Sequence, residues 1–391
     1  MGIFVLQNFS PLSYTTYLVK IRRVANESDR LSFIKFPWEI YKNNKFWVPP
    51  LLFDVRKNLD PKKNPFFQHA EVELFLAEDN GKFVGRIAAI KNDAHNNFHK
   101  DKTGFFGFYE TIDDEEVSDL LLDTACGWLK EKGFDTVIGP VNPSTNDECG
   151  LLIDAFDSSP VLLMTYNPPH YAQKLESFGF EKARDLYSFF ISSEVINNEK
   201  MMAKLTRMSE LIKKRYNITL KTIDMKNMMS EVRKLEEIYN SAWEDNWGFV
   251  PLTPAEFDYM ANSLKMIVDP DLIMFAEVDG KPAGFTLSLP DFNQVLKHLN
   301  GRLFPFGIFK MLYYKKKIDL LRTIIMGVKP EYQKKGIDSV FYLETIKNGN
   351  KNNYKGSEIS WVLEDNHVMR QTAEKLGAKI YKTYRIYQKA I

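Results

Sequence analysis

Residues 323–341 read TIIMGVKPEYQKKGIDSVF, a strand that runs through a short turn into a helix. Thr323–Val328 is a short apolar, β-branched run of the kind that forms a buried strand. Pro330 and Gly336 punctuate the next eight residues, and from Asp338 onward the pattern reads as a helix. A strand that turns directly into a helix leaves free backbone N–H groups at the helix start, and these, with the helix dipole, can hold an anion such as a pyrophosphate. Gly336 lets the backbone approach such a group, and Lys334 or Lys335 can neutralise its charge. Asp338 either adds a negative charge at this point or caps the helix. The plain alternative is a surface turn with a basic helix N-terminus.

Around this unit, the second half of the chain has a regular order of elements. Ile218–Ile223 alternates like a half-buried strand, and residues 225–242 carry Met228, Val232, Leu235 and Ile238 on one helical face. A second helix starts near Thr253 with Pro254 in its first turn. Leu272–Val278 and Pro282–Leu289 are strands joined at Asp279-Gly280, a hairpin signal. After the 323–341 unit come a strand at Glu358–Leu363, a helix at Val368–Leu376 stopped by Gly377, and a last alternating strand, Lys379–Gln388, expected to close the sheet of this half. Three stretches of the first half match the second in the same order: Ile40 with Ile238 (238 − 40 = 198), Gly85 with Gly284 (199) and Gly179 with Gly377 (198). Three matches at one spacing indicate a duplicated fold. The expected organisation is a first unit at 1–195, a helical linker at 196–216 and a second unit at 217–391. The fold class is α/β (α+β), each unit a central mixed sheet flanked by helices.

With Gln333, Lys334, Lys335, Gly336 and Ile337 in place, the turn resembles the acyl-CoA-binding segment of the GNAT N-acetyltransferase superfamily, Gln/Arg-x-x-Gly-x-Gly/Ala. Asp338 stands where that family prefers Gly or Ala. The WVLEDN stretch, the helix ending in LGA and the YRIY strand resemble the last quarter of GNAT domains, in which Asn366 would lie beside the pantetheine arm. NPFFQHAEVELFLAE, GFFGFYE, GPVNPSTNDECGLLID and YNPPHY resemble bacterial tandem-GNAT proteins, some of which are associated with N-acylation of lipid amines. The resemblance implies an N-acyltransferase that uses acetyl-CoA or a longer acyl-CoA, with no metal. A backbone N–H of Met326–Val328 would face the thioester oxygen, and Val328, Gln333, Lys334, Lys335, Gly336, Ile337, Asp338 and Asn366 would hold the cofactor. IDDEEVSDLL replaces the phosphate loop in the first half, and carboxylates there oppose a pyrophosphate, so one CoA site is expected. The family's usual Tyr acid falls at Ala373, and at Leu175 in the first half. That departure and Asp338 keep a non-catalytic acyl-CoA-binding protein open as the rival reading.

A second polar cluster, GPVNPSTNDECG at 139–150, follows a strand. Asn146, Asp147 and Glu148 gather there between apolar segments, which suits an acceptor site with Glu148 or Asp147 as general base. A self-satisfied Asn/Pro/Ser turn is the alternative. Glu364 and Asp365, at the end of the equivalent second-half strand, form the other candidate pair, with helix capping as their structural role. His95 and His99 are four residues apart but lack the partners of a metal site. Tyr381, Tyr384 and Tyr387 are nearby candidates for the acid, with their alternation in a strand favouring core packing.

The whole composition bounds the function. The 391 residues carry Lys+Arg 52 against Asp+Glu 51, a net charge of +1 that gives no case for nucleic-acid binding. Two cysteines, Cys126 and Cys149, form no disulfide framework; with no secretory signal in the first 20 residues, no myristoylation pattern and no long apolar run, the chain is expected in the cytoplasm. The expected acceptor is a small-molecule or lipid amine. Residues 292–318 hold Lys297, Arg302, Lys310, Lys315, Lys316 and Lys317, no acidic residue, and dense apolar content. An amphipathic helix there suits peripheral contact with a membrane or a long-chain substrate lid. A helical hairpin packed on its own domain or on a partner chain is the alternative. Oligomeric state is not legible.

Overall fold

The computed structural model of the protein describes residues 19–244 and 246–391. The signal-peptide and myristoylation readings of the first 18 residues lie outside the described residues. The first half runs β1 (Lys20–Arg23), α1 (Glu27–Lys35), α2 (Pro37–Ile40), α3 (Leu52–Asn58), β2 (Ala70–Asp79), β3 (Lys82–Asn92), α4 (Asp93–His99), β4 (Thr103–Thr111), α5 (Glu115–Glu131) and β5 (Thr136–Gly139). It continues through the short β6 (Val141–Asn142), β7 (Glu148–Cys149) and β8 (Leu151–Leu152) to α6 (His170–Ser177) and β9 (Glu181–Ser192). Helices α7 (Ser193–Ile196) and α8 (Glu199–Arg215) lead to the second half. That half repeats the plan as β10 (Ile218–Thr222), α9 (Met228–Ala242), α10 (Pro254–Leu264), β11 (Ile273–Val278), β12 (Lys281–Pro290), α11 (Asn293–Leu296), α12 (Gly307–Lys315), β13 (Leu320–Val328), α13 (Ile337–Lys351), β14 (Gly356–Leu363), α14 (His367–Lys375) and β15 (Lys379–Ala390). Local chemistry sets many ends. Thr253 and Glu256 form a capping box for α10, Asn26, Asp114 and Asn198 cap α1, α5 and α8, and Gly377 at φ +92° follows α14.

The strands join into one thirteen-stranded mixed sheet in the order β1-β2-β3-β4-β5-β15-β9-β14-β13-β12-β11-β10, with β8 added to β15. Among the described strands, only β4/β5 and β13/β14 are parallel. The final strand departs from expectation. β15 does not close the second half alone. It pairs with β5 through Tyr387↔Gly139 and with β9 through Tyr384↔Leu186, while β9 pairs with β14 through Gly356↔Ser192. The two halves thus exchange their last strands. Alternation marks β15 as a strand, but pairing capacity is the same for any partner, so the choice of edge belongs to the tertiary structure. α8 is more than a linker: Leu205 is buried, and Ile212 packs toward the β10–α13 core.

Buried charges fasten the junction. Arg322 on β13 is 1% exposed and donates to the carbonyls of Leu162 and Leu163 in the first half, at 2.7 and 2.9 Å. Lys382 on β15 donates to Ser158 and Ser159 O at 2.9 and 3.0 Å, and burial holds its pKa down to about 8. Asp291 accepts from the N–H of Leu162 at 2.8 Å. Residues 292–318 form two helices packed on their own domain, the alternative to one amphipathic helix. Gly301 at φ +77° and Pro305 break the run into α11 and α12. Phe292, Val295 and Leu299 are buried with Leu162 and Leu289, whereas Phe304, Phe306 and Phe309 are 77%, 72% and 68% exposed.

Candidate active site

The site begins where β13 and β14 part. They pair only through Leu320–Thr323 and Gly356–Ile359. Beyond Thr323, β13 follows β12, with Ile325 opposite Leu287, and beyond Ile359, β14 follows β9, with Val362 opposite Tyr187. Ser288 faces Thr323 and Leu287 faces Ile325, so Ile324 is the extra residue of a β-bulge. A bulge bends its strand and breaks the ladder locally, which helps to open the wedge. The wedge is a cleft open to solvent, with about 1010 Å³ of space between and in front of its walls. Met326 and Trp361 line opposite walls, Asn366 and Met369 lie toward α14, and Asn146, Cys149 and Tyr239 stand at the other side.

At the far end of β13 the chain turns as the sequence pattern predicts. Lys334 at φ +61° and Gly336 at φ +81° shape the turn, and no side chain caps α13. The N–H groups of residues 334–338 have no hydrogen-bond partner among the described residues. Successive free N–H groups in such a turn form an anion-binding concavity. Gln333 braces it by donating from Nε2 to Val328 O at 3.3 Å. Lys334 is exposed, Lys335 half-buried, Ile337 buried under the helix start and Asp338 half-buried in the first turn. Asn366 lines the wedge while its side chain caps α14, accepting from Met369 N–H at 3.0 Å.

The first half lacks this opening. Asp114 occupies its own helix start, accepting from Val117 N–H at 3.0 Å. β4 and β5 also part, but Val141 and Asn142 fill the gap. Asn142 Oδ1 accepts from Phe108 N–H at 2.7 Å, and a Cβ on Gly107 would lie 1.6 Å from Val141 O. Only glycine admits so close a backbone.

The 142–149 loop reaches across to the second half. Thr145 Oγ1 donates to Gly248 O at 2.7 Å and Asn146 Nδ2 to Val250 O at 3.0 Å, while Asn146 Oδ1 accepts from Tyr239 at 3.0 Å. Asp147 is exposed and accepts from Ser144 Oγ at 2.6 Å. Glu148 is half-buried, and neither it nor Asp147 lines the wedge; burial of its carboxyl, reinforced by the charge of Asp147, raises its pKa to about 7 against the pull of Arg322. Cys149 lines the wedge, and burial pushes its thiol up to about 12, so it is a neutral thiol at pH 7 rather than a nucleophile. Glu364 and Asp365, like Asp147 and Glu148, stand outside the wedge, but in ion pairs. Glu364 binds Lys182 at 2.6 Å and accepts from Asp185 N–H at 3.2 Å, and Asp365 binds Arg184 at 2.8 Å.

Sequence reasoning singled out neither Tyr239 nor the Trp243 and Trp247 that line the same cavity. Their aromatic density in IYNSAWEDNWGF was a signal, but helical spacing suggests core packing just as well. Arg322 was also missed. Its Nε donates to Ser360 Oγ at 3.0 Å and its guanidinium lies 5.1 Å from the Trp361 ring, so it sets the wall on which both residues sit. Among the described residues no group of three or more His, Cys, Asp or Glu is placed to hold a metal ion.

A mixed sheet, a splayed parallel pair with a bulge, and an uncapped turn at the end of the bulged strand define a GNAT-type acyltransferase fold, present here in tandem. The tandem GNAT protein from the clavulanic acid biosynthesis pathway, solved without AcCoA, has the same fold, with a TM-score of 0.56 and 11% identity over 95% of this chain and 98% of that one. No family model matches the chain. Protein YghO of Escherichia coli (strain K12) is 36% identical over 383 residues, 96% of each chain. The bacterial ceramide synthase of Caulobacter vibrioides is 36% identical over 388 residues, 97% of this chain and 100% of that protein. The chain belongs to the family of these two proteins.

Proposed function

We propose that the protein is an acyl-CoA-dependent N-acyltransferase. The reading rests on the wedge, where Asn146 of the first half shares a cavity with Met326 on β13, the strand that leads on into the free N–H groups of 334–338. The pyrophosphate of acetyl-CoA or a longer acyl-CoA binds the turn Gln333–Asp338, and the pantetheine arm runs between β13 and β14 past Asn366. The amine approaches from the side of Asn146 and Tyr239. Its nitrogen attacks the thioester carbon, the C–N bond forms, the C–S bond breaks and the amine proton leaves. Glu148, held near pH 7, is the terminal proton acceptor, with water between it and the amine. Burial keeps the Tyr239 hydroxyl protonated, so it offers the departing thiolate a hydrogen bond, and the thiolate takes its proton from solvent. Transfer is direct, because Cys149 stays neutral. Thiol release from acetyl-CoA and dodecanoyl-CoA over a panel of amines tests this. Release must exceed background hydrolysis and require the amine; binding without such release favours a ligand-binding protein.

The acceptor is a lipid amine at a membrane surface. Phe304, Phe306, Phe309, Leu312 and Tyr313 are exposed together with six Lys/Arg on a segment with no acidic residue. Its buried side, through Ile324, belongs to the cluster that backs the wedge. The name of the ceramide synthase relative points the same way, since a ceramide is an N-acylated lipid amine. No helix among the described residues is long and apolar enough to cross a membrane, so contact would be through this face. Co-sedimentation with anionic vesicles at low and high salt tests it. Binding should weaken as salt shortens the Debye length, and absence of binding at low salt removes the reading.

A further inference from the structure

A second cavity lies on the α13–α14 side of the sheet, with about 680 Å³ of space that opens partly to solvent. It is walled by Leu321 on β13, Ile346 and Gly349 on α13, Ile359 on β14 and Leu376 after α14. No Asp, Glu, Lys, Arg or His lines it. Three of its polar side chains are already engaged: Thr323 Oγ1 meets Ser288 Oγ at 2.9 Å, Tyr342 contacts Met369 Sδ at 3.2 Å and Asn350 bonds Asn197 at 2.6 Å. Such a space offers nothing to an ammonium or a phosphate and suits a hydrocarbon.

Its position names the hydrocarbon. Thr323, Met326, Ile359 and Met369 line both this cavity and the wedge. The cavity therefore continues the wedge past the point where β13 and β14 close, beneath α13. Two of the four shared residues are methionines, whose unbranched side chains can move aside for a chain. We propose that this cavity receives the fatty chain of a long-chain acyl-CoA, so that the thioester stays in the wedge and the tail runs toward Leu321 and Gly349. The proposal rests on the acyl-CoA reading of the wedge, but not on the identity of the amine.

The test measures binding of acyl-CoAs to the full chain without an acceptor. The ladder runs from acetyl- through octanoyl- to dodecanoyl-CoA, below their micellar range. A methylene removed from water is worth up to roughly fourfold in affinity. Wild-type protein should bind dodecanoyl-CoA at least about tenfold tighter than acetyl-CoA, a conservative bound on that figure. Two variants fill the cavity at different points. A Cβ at Gly349 meets only Leu321 Cδ1, at 3.5 Å, so Gly349→Leu enters without a backbone clash. Thr345 Oγ1 is buried without a partner among the described residues, so Thr345→Phe breaks no hydrogen bond. Both should bring dodecanoyl-CoA to within about twofold of acetyl-CoA and leave acetyl-CoA affinity unchanged. A flat wild-type ladder overturns the proposal, as does a folded variant that keeps its chain-length preference. It is equally overturned if the variants alter selection among amine acceptors and not among acyl chains. Tight dodecanoyl-CoA binding with no amine acylation would uphold the cavity and reject the transferase reading.

Discussion

Gly336 combines a left-handed backbone, φ +81°, with a place among five free N–H groups. Gly336→Glu adds strain, a side chain directed toward Ile212 and a negative charge beside a pyrophosphate. CoA affinity should fall at least about tenfold, roughly 1.4 kcal/mol, by calorimetry on protein whose circular dichroism is unchanged. Asp338 acts in the opposite sense. Removing a charge at a helix N-terminus that opposes a bound anion is worth about 0.3–1 kcal/mol, so Asp338→Asn should tighten CoA about two- to fivefold at low salt, and no change would make Asp338 neutral to the site. On the proposed mechanism Glu148 carries the pH dependence. Its pKa in the fold, about 7, lies above the ordinary 4.5, so the ionised form needed to accept a proton accumulates only as pH rises through about 7. The rate should fall on the acid side of 7, and Glu148→Gln should remove that limb from the kcat/KM profile. Stability has the other sign: the contribution of protonated Glu148 is full below about pH 4.5 and is lost as pH rises through 7. Of these residues, Gly336 and Asp338 were legible in the sequence because a turn is local. The perturbed carboxyl of Glu148 was not, since its first cause is burial, which packing decides; only the second, the charge of Asp147, is local.

Among the elements, the two polar segments of the first half have separate duties. Val141–Asn142 close the first wedge, so calorimetry should find one CoA per chain; a second equivalent site would show that this plug yields. Asn142→Ala leaves the Phe108 N–H unpaired and should cost about 1–3 kcal/mol in denaturant unfolding. Thr145, Asn146 and Cys149 line the second wedge instead. Asn146→Ala and Tyr239→Phe remove the 3.0 Å bond between them, and each should lower turnover by about tenfold or more while CoA affinity stays near normal. Equal turnover in both would return the loop to a structural turn. Composition revealed this loop as polar between apolar neighbours. It could not reveal that α9 and residues 248–250 receive it, because no local pattern encodes which surface a loop meets.

Across the molecule, strand exchange ties the halves into one cooperative body. β15 supplies the neighbour of β5, and β9 supplies the neighbour of β14, so neither half holds a complete sheet alone. Heating should give a single transition seen alike by tryptophan fluorescence and circular dichroism. Two separated transitions would mean that the halves unfold independently despite the shared strands. Arg322→Met should lower stability by about 3 kcal/mol or more, because it leaves Glu358 and the Leu162 and Leu163 carbonyls without their buried cation. Replacing Phe304, Phe306 and Phe309 with Ser should reduce vesicle binding without lowering that transition, since all three side chains are exposed.

The duplication, the order of strands and helices, and the turn at 333–338 are written in the amino-acid sequence. They are properties of periodicity, punctuation and spacing, which act over a few residues or repeat at a fixed offset. The basic and apolar character of residues 292–318 is written there too. Tertiary packing alone settled that β9 and β15 change places, that Val141 closes one wedge while the other stays open, and that Gly301 and Pro305 turn the aromatic side chains of 304–313 outward. Each of those outcomes is a choice among partners with similar local pattern, made by which surfaces could be buried together and which backbone groups could be paired.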